Sequence, residues 1–288
     1  QGAMPAIYTD EVAAGDSEWF SDKKRANDLA ESFFKVCKMV GMAIPAGESP
    51  SLRYLIKAEP PVKSAPSLSG CVTGIIAPHT REIKNDCLVA GDIIIGVASS
   101  GLHANGVSLV IKRALTLPDV FLTKLPNGNT LGDEALIPTM SYVDLIEGLL
   151  REGVEIHALV PGTGSGVSKI AFDKRPFTYS VHSWLEVPQI FLFMLELGVS
   201  LHDCLTTFNW GVGYYIFVPR REVNRVITIG EQLGYNLAEI GLVKKAREKW
   251  FLSPEIGFSD HPGNEKNKGV PFQRNASLFL KISQENFY

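Results

Sequence analysis

The chain has 288 residues, of which 45% are hydrophobic and 20% charged, with a formal net charge of −3. That balance supplies a packed core and excludes disorder along most of the length, and it argues against a chain built mainly to bind nucleic acid. No apolar run reaches about 18 residues, so no membrane-spanning helix is expected, and no basic segment followed by an apolar one marks a secretion signal.

Gln1 stands where an intact translation product carries Met, so the natural start is expected either at Met4 or upstream of Gln1. Ala26, Leu29, Ala30, Phe33, Phe34, Cys37 and Val40 recur at helical spacing, predicting an amphipathic helix over 23–42 that ends near Gly41. Pro60, Pro61 and Pro66 make 58–67 a loop. Runs rich in β-branched residues at 71–77 and 92–98 read as strands, with a polar surface connection over 79–85. We expect a domain boundary near 89–91, giving domains 1–90 and 91–288. Beyond it, helices are expected at 106–115, 140–151, 188–198 and 221–233, and strands at 177–181, 212–218 and 240–243. This alternation indicates an α/β or α+β architecture. Residues 253–274, rich in Gly, Pro, Asn and Lys, read as a mobile loop, and 277–282 as a last edge strand. The four cysteines, Cys37, Cys71, Cys87 and Cys204, are scattered with no CxxC pair. A disulfide framework or zinc site is therefore not expected, and a reducing cytoplasm is.

Four segments carry candidate chemistry. Gly162-Thr163-Gly164-Ser165-Gly166 precedes an apolar helical start at Val167. Such a loop either caps the helix or brings backbone N–H groups to an anion, and we favour a phosphate cradle. Ser99-Ser100-Gly101-Leu102-His103-Ala104-Asn105-Gly106 follows a strand, where small and polar residues form either a ligand loop or a plain turn. There His103 offers a proton donor and Asn105 an amide pair. Thr207-Phe208-Asn209-Trp210-Gly211-Val212-Gly213 leads into a strand, its glycines marking a bulge or a close backbone approach. Gly47-Glu48-Ser49 places a carboxylate at a strand end, either to hold Mg²⁺ or a substrate amine or as a solvated side chain. Asp10 is a weaker candidate, and His157, between Ile156 and Ala158, reads more as a satisfied core histidine than as a ligand.

In order, Gly91-Asp92, SSGLHANG, Pro138-Thr139 with Tyr142-Val143, Glu155-Ile156-His157-Ala158, GTGSG and TFNWGVG closely resemble phosphoribosylformylglycinamidine cyclo-ligase. The resemblance runs from Gln1, whose Gln1-Gly2-Ala3 with Pro5 and Asp10 is similar to the family's QGAxP segment, to about Val243. It implies a two-domain fold like that of aminoimidazole ribonucleotide synthetase. The N-terminal ATP-binding and dimerisation domain would be incomplete, and the C-terminal domain a mixed sheet with helices packed on one face. It further implies an ATP- and Mg²⁺-dependent ligase of purine biosynthesis, cytoplasmic and homodimeric, acting on a ribonucleotide. Catalytic roles would fall to His103, Asn105 and Glu48, the last also a metal ligand. Substrate or phosphate binding would fall to Ser99, Ser100, Gly101, Thr163, Gly164, Ser165, Gly166, Asn209, Gly211 and Gly213.

The departures are specific. The family's GGETAEMPG stretch reads Ala46-Gly47-Glu48-Ser49-Pro50-Ser51-Leu52, its histidine ahead of the glycine loop is Pro161, and the cysteine of TFNCGVG is Trp210. Leu102 replaces the proline of SSGPH, and the tail beyond about Trp250 has no family counterpart. They keep open two alternatives: another ATP-dependent enzyme of the same superfamily, or a non-catalytic ligand-binding or scaffold paralogue.

Overall fold

The computed structural model describes residues 1–58, 62, 64–254 and 256–260. The chain divides into two compact units between Glu82 and Ile83. That is earlier than the expected 89–91, because Ile83 and Leu88 are buried in the cores of the second unit. Within the same stretch, the Asn85 side chain accepts a hydrogen bond from the Leu159 N–H at 3.1 Å.

The first unit is a β-α-β unit with one added strand. Strand β1 (Met4–Ala14) leads through a 3-10 turn to helix α1 (Lys23–Val40), strand β2 (Ala43–Glu48) and strand β3 (Pro66–Ile75). β1 lies between the other two, parallel to β2 and antiparallel to β3. The Asp22 carboxylate accepts the Arg25 N–H and opens α1, while Gly41, at φ +77°, closes it. The helix rests on the sheet through Leu29 and Phe33, which pack with Val12, Ala14 and Trp19. Phe34, expected on the apolar stripe, is exposed. The strand expected at 71–77 begins earlier, at Pro66, because the whole segment pairs with β1 from Ala14↔Pro66 to Met4↔Ile75. Pro60 and Pro61 lie outside the described residues.

The second unit contains strands β4 (Ile93–Ala98), β5 (Ala158–Pro161), β6 (Phe177–Val181), β7 (Val212–Val218), β8 (Leu237–Lys245), β9 (Trp250–Ser253) and β10 (Phe258–Asp260). Their helices are α2 (Val107–Ala114), α3 (Leu131–Ala135), α4 (Val143–Arg151), α5 (Gln189–Glu196), α6 (Leu201–Thr207) and α7 (Val223–Gln232). The sheet order is β10-β9-β6-β8-β4-β7-β5, with β6 and β9 parallel and the other neighbours antiparallel. The mixed sheet is as expected; helices on one face only are not. Ile93, Ile95 and Val97 join Leu145, Leu149, Val223 and Val226 in one core, whereas Ile94 joins residues of α2, α5 and α6 in another. A strand apolar at successive positions is buried on both faces, so both need a helical cover. The tail expected to be mobile begins as the β9–β10 pair, and the strand expected at 277–282 lies outside the described residues.

The registers decide where chemistry can gather. β7 runs antiparallel to β4, with Ile93↔Val218 and Ala98↔Val212, and to β5, with Ala158↔Phe217 and Pro161↔Tyr214. The ends of β4 and β5 and the start of β7 therefore lie side by side at one end of the sheet. The loops that leave or enter there are 99–106, 162–166 and 207–211.

Candidate functional site

The loop after β4 is held by its own side chains. The Ser100 N–H donates to His103 Nε2 at 3.1 Å. A backbone N–H can only donate, so Nε2 is unprotonated and the neutral ring carries its proton on Nδ1. Burial pushes the His103 pKa below the usual histidine value, favouring that neutral form. Ser100 Oγ donates to the Pro138 carbonyl at 2.7 Å and accepts from the Met140 N–H at 3.1 Å, tying the loop to the segment ahead of α4. Ser99 donates its N–H to the Gly211 carbonyl at 2.9 Å, while its buried hydroxyl has no hydrogen-bond partner among the described residues.

Glycine is required where these loops touch. A Cβ on Gly162 would lie 2.1 Å from the Val212 carbonyl oxygen, and one on Gly213 1.9 Å from Tyr142 Oη and 2.6 Å from His103 Cε1. A Cβ on Gly164 would come within 3.2 Å of Asn105 Oδ1, so the amide of Asn105 faces the 162–166 loop. The structure thus gathers Ser99, Ser100, Gly101, His103, Asn105, Thr163, Gly164, Ser165, Gly166, Gly211 and Gly213 at one end of the sheet. Backbone tension concentrates there too: His103 (φ +58°), Ser165 (φ +77°) and Trp210 (φ +50°) hold conformations that favour glycine.

Asn209 belongs to the framework of this end. It is buried, its Nδ2 donates to the Gly101 carbonyl at 2.8 Å, and its Oδ1 accepts the Gly211 N–H at 3.0 Å. Both ends of its amide are used inside the protein, which fastens the 99–106 loop to the start of β7. Trp210 is also buried, stacked on Phe191 with ring centroids 6.2 Å apart, and so leaves the loops open. The segment after GTGSG forms a short 3-10 helix, Gly166–Ile170, in place of the expected α-helix. Its N-terminus is too short to supply much dipole, so any phosphate cradle there depends on the loop backbone itself.

Glu48 belongs to the first unit, exposed at the end of β2 and in register with Glu11 of β1. Asp10 stands against Gly47, where a Cβ would be 2.5 Å from Oδ1. Among the described residues no group of three or more His, Cys, Asp and Glu side chains is arranged to hold a metal. The expected Mg²⁺ therefore has no built site among the described residues.

His157 is the satisfied histidine expected, at the opposite ends of β4 and β5. Its Nδ1 lies 2.9 Å from both oxygens of buried Asp92 and its Nε2 2.9 Å from Glu155 Oε1. Glu155 in turn pairs with Arg221. Both ring nitrogens face carboxylates, which suits an imidazolium. Burial alone would lower its pKa, but hydrogen bonds to Glu155 and Asp92 outweigh that and raise it.

Sequence reasoning gave no role to Tyr142, which the structure places at the centre of the site. Its hydroxyl donates to the Ala98 carbonyl at 2.9 Å, and its ring packs beside His103, Tyr214 and Tyr235. Only the dipeptide Tyr142-Val143 in the motif order hinted at it.

The AIR synthase related protein, C-terminal domain, matches residues 89–250. The phosphoribosylformylglycinamidine cyclo-ligase of Lactobacillus delbrueckii subsp. bulgaricus is 31% identical over 265 residues, covering 88% of this chain and 72% of that protein. The enzyme of the same name from Pyrococcus horikoshii is 32% identical, covering 86% and 69%. For that of Methanobrevibacter smithii the chain spans 64% of the relative's length at 29% identity. Among solved structures, E. coli HypE superposes with a TM-score of 0.62 at 18% identity, over 92% of this chain and 76% of its own. Thiamine-monophosphate kinase from Stenotrophomonas maltophilia gives 0.58 at 17% identity, over 88% and 72%. At those identities the likeness is one of fold.

Proposed function

The chain belongs to the phosphoribosylformylglycinamidine cyclo-ligase family, and from that premise we propose that it closes the imidazole ring of aminoimidazole ribonucleotide at the expense of ATP. In this reading the formyl amide oxygen of formylglycinamidine ribonucleotide takes the γ-phosphoryl group of ATP, releasing ADP. The neighbouring amidine nitrogen attacks the activated carbon, the C–N bond forms, and phosphate leaves with the former amide oxygen. Phosphorylation turns a poor leaving group into a good one, so the protein's contribution is to orient the two reacting ends and to meet the developing charge.

The observation that carries the reading is the meeting of 99–106, 162–166 and 207–213 around His103 and Asn105. His103, neutral and with its proton on Nδ1, would donate to the former amide oxygen as phosphate departs with it and charge gathers there. Asn105, against Gly164, would orient the ribonucleotide, and the 162–166 loop would receive its phosphate. Asn209 then acts by fixing the loops and not by touching substrate. Glu48 is the candidate for the ATP side, by its place in the sequence resemblance; Mg²⁺ would accompany the nucleotide, and with no built site among the described residues no step is assigned to it. ATP is the nucleotide that the family resemblance implies, and a HypE of similar fold, at a TM-score of 0.57 and 16% identity, has been solved in complex with ATP.

One residue favours a retasked enzyme of the same superfamily: Pro161, exposed at the end of β5, where the resemblance expects a histidine. ADP release, followed with and without formylglycinamidine ribonucleotide, decides between the readings. We expect the ribonucleotide to stimulate ADP formation, with aminoimidazole ribonucleotide appearing in step. ATP turnover indifferent to it would favour the retasked enzyme, and binding without turnover a non-catalytic paralogue.

A further inference from the structure

Tyr142 stands at the N-terminal end of α4 and faces the His103 side of the site. Its hydroxyl donates to the carbonyl of Ala98, the last residue of β4 and the one from which the 99–106 loop departs. Its ring lies 6.3 Å from the His103 ring, centroid to centroid. Its Oη and the Cε1 edge of His103 also crowd the same point in space, the one that a Cβ on Gly213 would occupy. The missing side chain of Gly213 is thus what lets a tyrosine and a histidine from distant segments stand together at the start of β7. On its far side the ring is held by Tyr214 and Tyr235, and the Tyr235 hydroxyl donates to the Ser141 carbonyl at 2.9 Å.

His103 itself is anchored through Nε2, which accepts the Ser100 N–H at 3.1 Å and lies 3.1 Å from Ser100 Oγ. It also sits in a left-handed backbone conformation that other arrangements of the loop would relieve. An imidazole so placed keeps one tautomer only if its surroundings hold it there. We propose that Tyr142 is a positioning residue, whose hydroxyl on Ala98 and ring beside His103 lock the imidazole in the tautomer that presents Nδ1–H to the substrate. This rests on the proposed role of His103 in ring closure, but its central claim concerns the histidine alone.

The test uses the full chain and ¹⁵N-edited NMR of the His103 ring, assigned with His103→Gln. In the parent, a single Nδ1–H tautomer is expected, together with a nuclear Overhauser contact between His103 Hε1 and the Tyr142 ring. Tyr142→Phe keeps the ring and deletes the donor. It should leave the fold's chemical shifts in place beyond the 99–106 loop, convert His103 to a mixture of tautomers and move its titration upward towards the ordinary value near 6.5. In turnover, the same variant should lower kcat about tenfold with KM changed less than twofold, and shift the acidic limb of the kcat profile with the histidine. A parent without the Overhauser contact, or a His103 whose tautomer and titration are the same in Tyr142→Phe, overturns the proposal. If the ring responds as expected but the parent closes no imidazole ring, the positioning stands and the proposed reaction falls.

Discussion

His103, Ser165 and Trp210 each hold a positive φ in the loops that converge on the end of the sheet, and this separates the contribution of backbone from that of side chain. At His103 the left-handed conformation costs a Cβ-bearing residue about 1 kcal/mol relative to glycine. His103→Gly should therefore be more stable than His103→Ala by that amount, although both lose the acceptor for the Ser100 N–H. If the imidazole takes part in the reaction, the two variants should lose turnover equally, by 10²-fold or more, whatever their melting temperatures. Turnover that follows stability between them would assign the ring to packing. A second contrast uses glycines. Gly213→Ala drives a methyl group into Tyr142 and His103 and should cost about 3 kcal/mol or more, whereas Gly128→Ala, at φ +85° with nothing within 4 Å, should cost only its backbone strain of about 1 kcal/mol. Denaturant unfolding of the two variants would measure the difference; equal losses would mean that the crowding at Gly213 relaxes.

At the level of elements, the two ends of β4 do different work. One end opens into the candidate site; at the other, Asp92 and His157 join the starts of β4 and β5, with Glu155 and Arg221 completing the chain of charges. The His157 pKa is raised in the folded state, so its stabilisation is complete below the unfolded value near 6.5 and is lost as pH climbs through the folded value. The His157 contribution to unfolding free energy should therefore fall from pH 6 to pH 9, and His157→Gln should flatten that slope; an unchanged slope would remove His157 as its source. Strands and helices with strong local patterns were legible from the residues alone: the strand expected at 177–181 is β6, and the helix expected at 188–198 contains α5. What escaped was decided by partners far along the chain. β1 is mixed in character because its strength lies in pairing on both sides, and β5, only four residues long, is a strand because β7 lies beside it. The same holds for the site. Glycine-rich loops announced themselves, but the internal use of both ends of the Asn209 amide and the place of Tyr142 come from long-range contacts that no local pattern encodes.

For the molecule as a whole, the second unit buries its apolar residues on both faces of a seven-stranded sheet, whereas the first leaves many of its own in the open. Along β3, an outer strand of the three-stranded sheet, Leu68, Val72 and Ile75 are 55%, 56% and 55% exposed, and Met4 and Ile7 of β1 are 39% exposed. A long apolar edge strand is a site for pairing with another chain, and proteins that remain monomeric blunt such edges with charge, proline or bulges. β3 carries no charged residue between Pro66 and Ile75. The homodimer implied by the family resemblance would cover this surface, and a stable one needs about 1,000 Å² or more of buried area. Sedimentation velocity should accordingly find the parent as a dimer whose population rises with concentration. Val72→Lys places a charge in the middle of the strand, and should shift the population to monomer while leaving the His103 end of the sheet intact. Because the driving force is apolar, added salt should not restore the parent's dimerisation beyond screening the new lysine charge. A Val72→Lys protein that stays dimeric would place the contact between copies elsewhere, and a monomeric parent would leave this edge without the partner that the resemblance assigns to it.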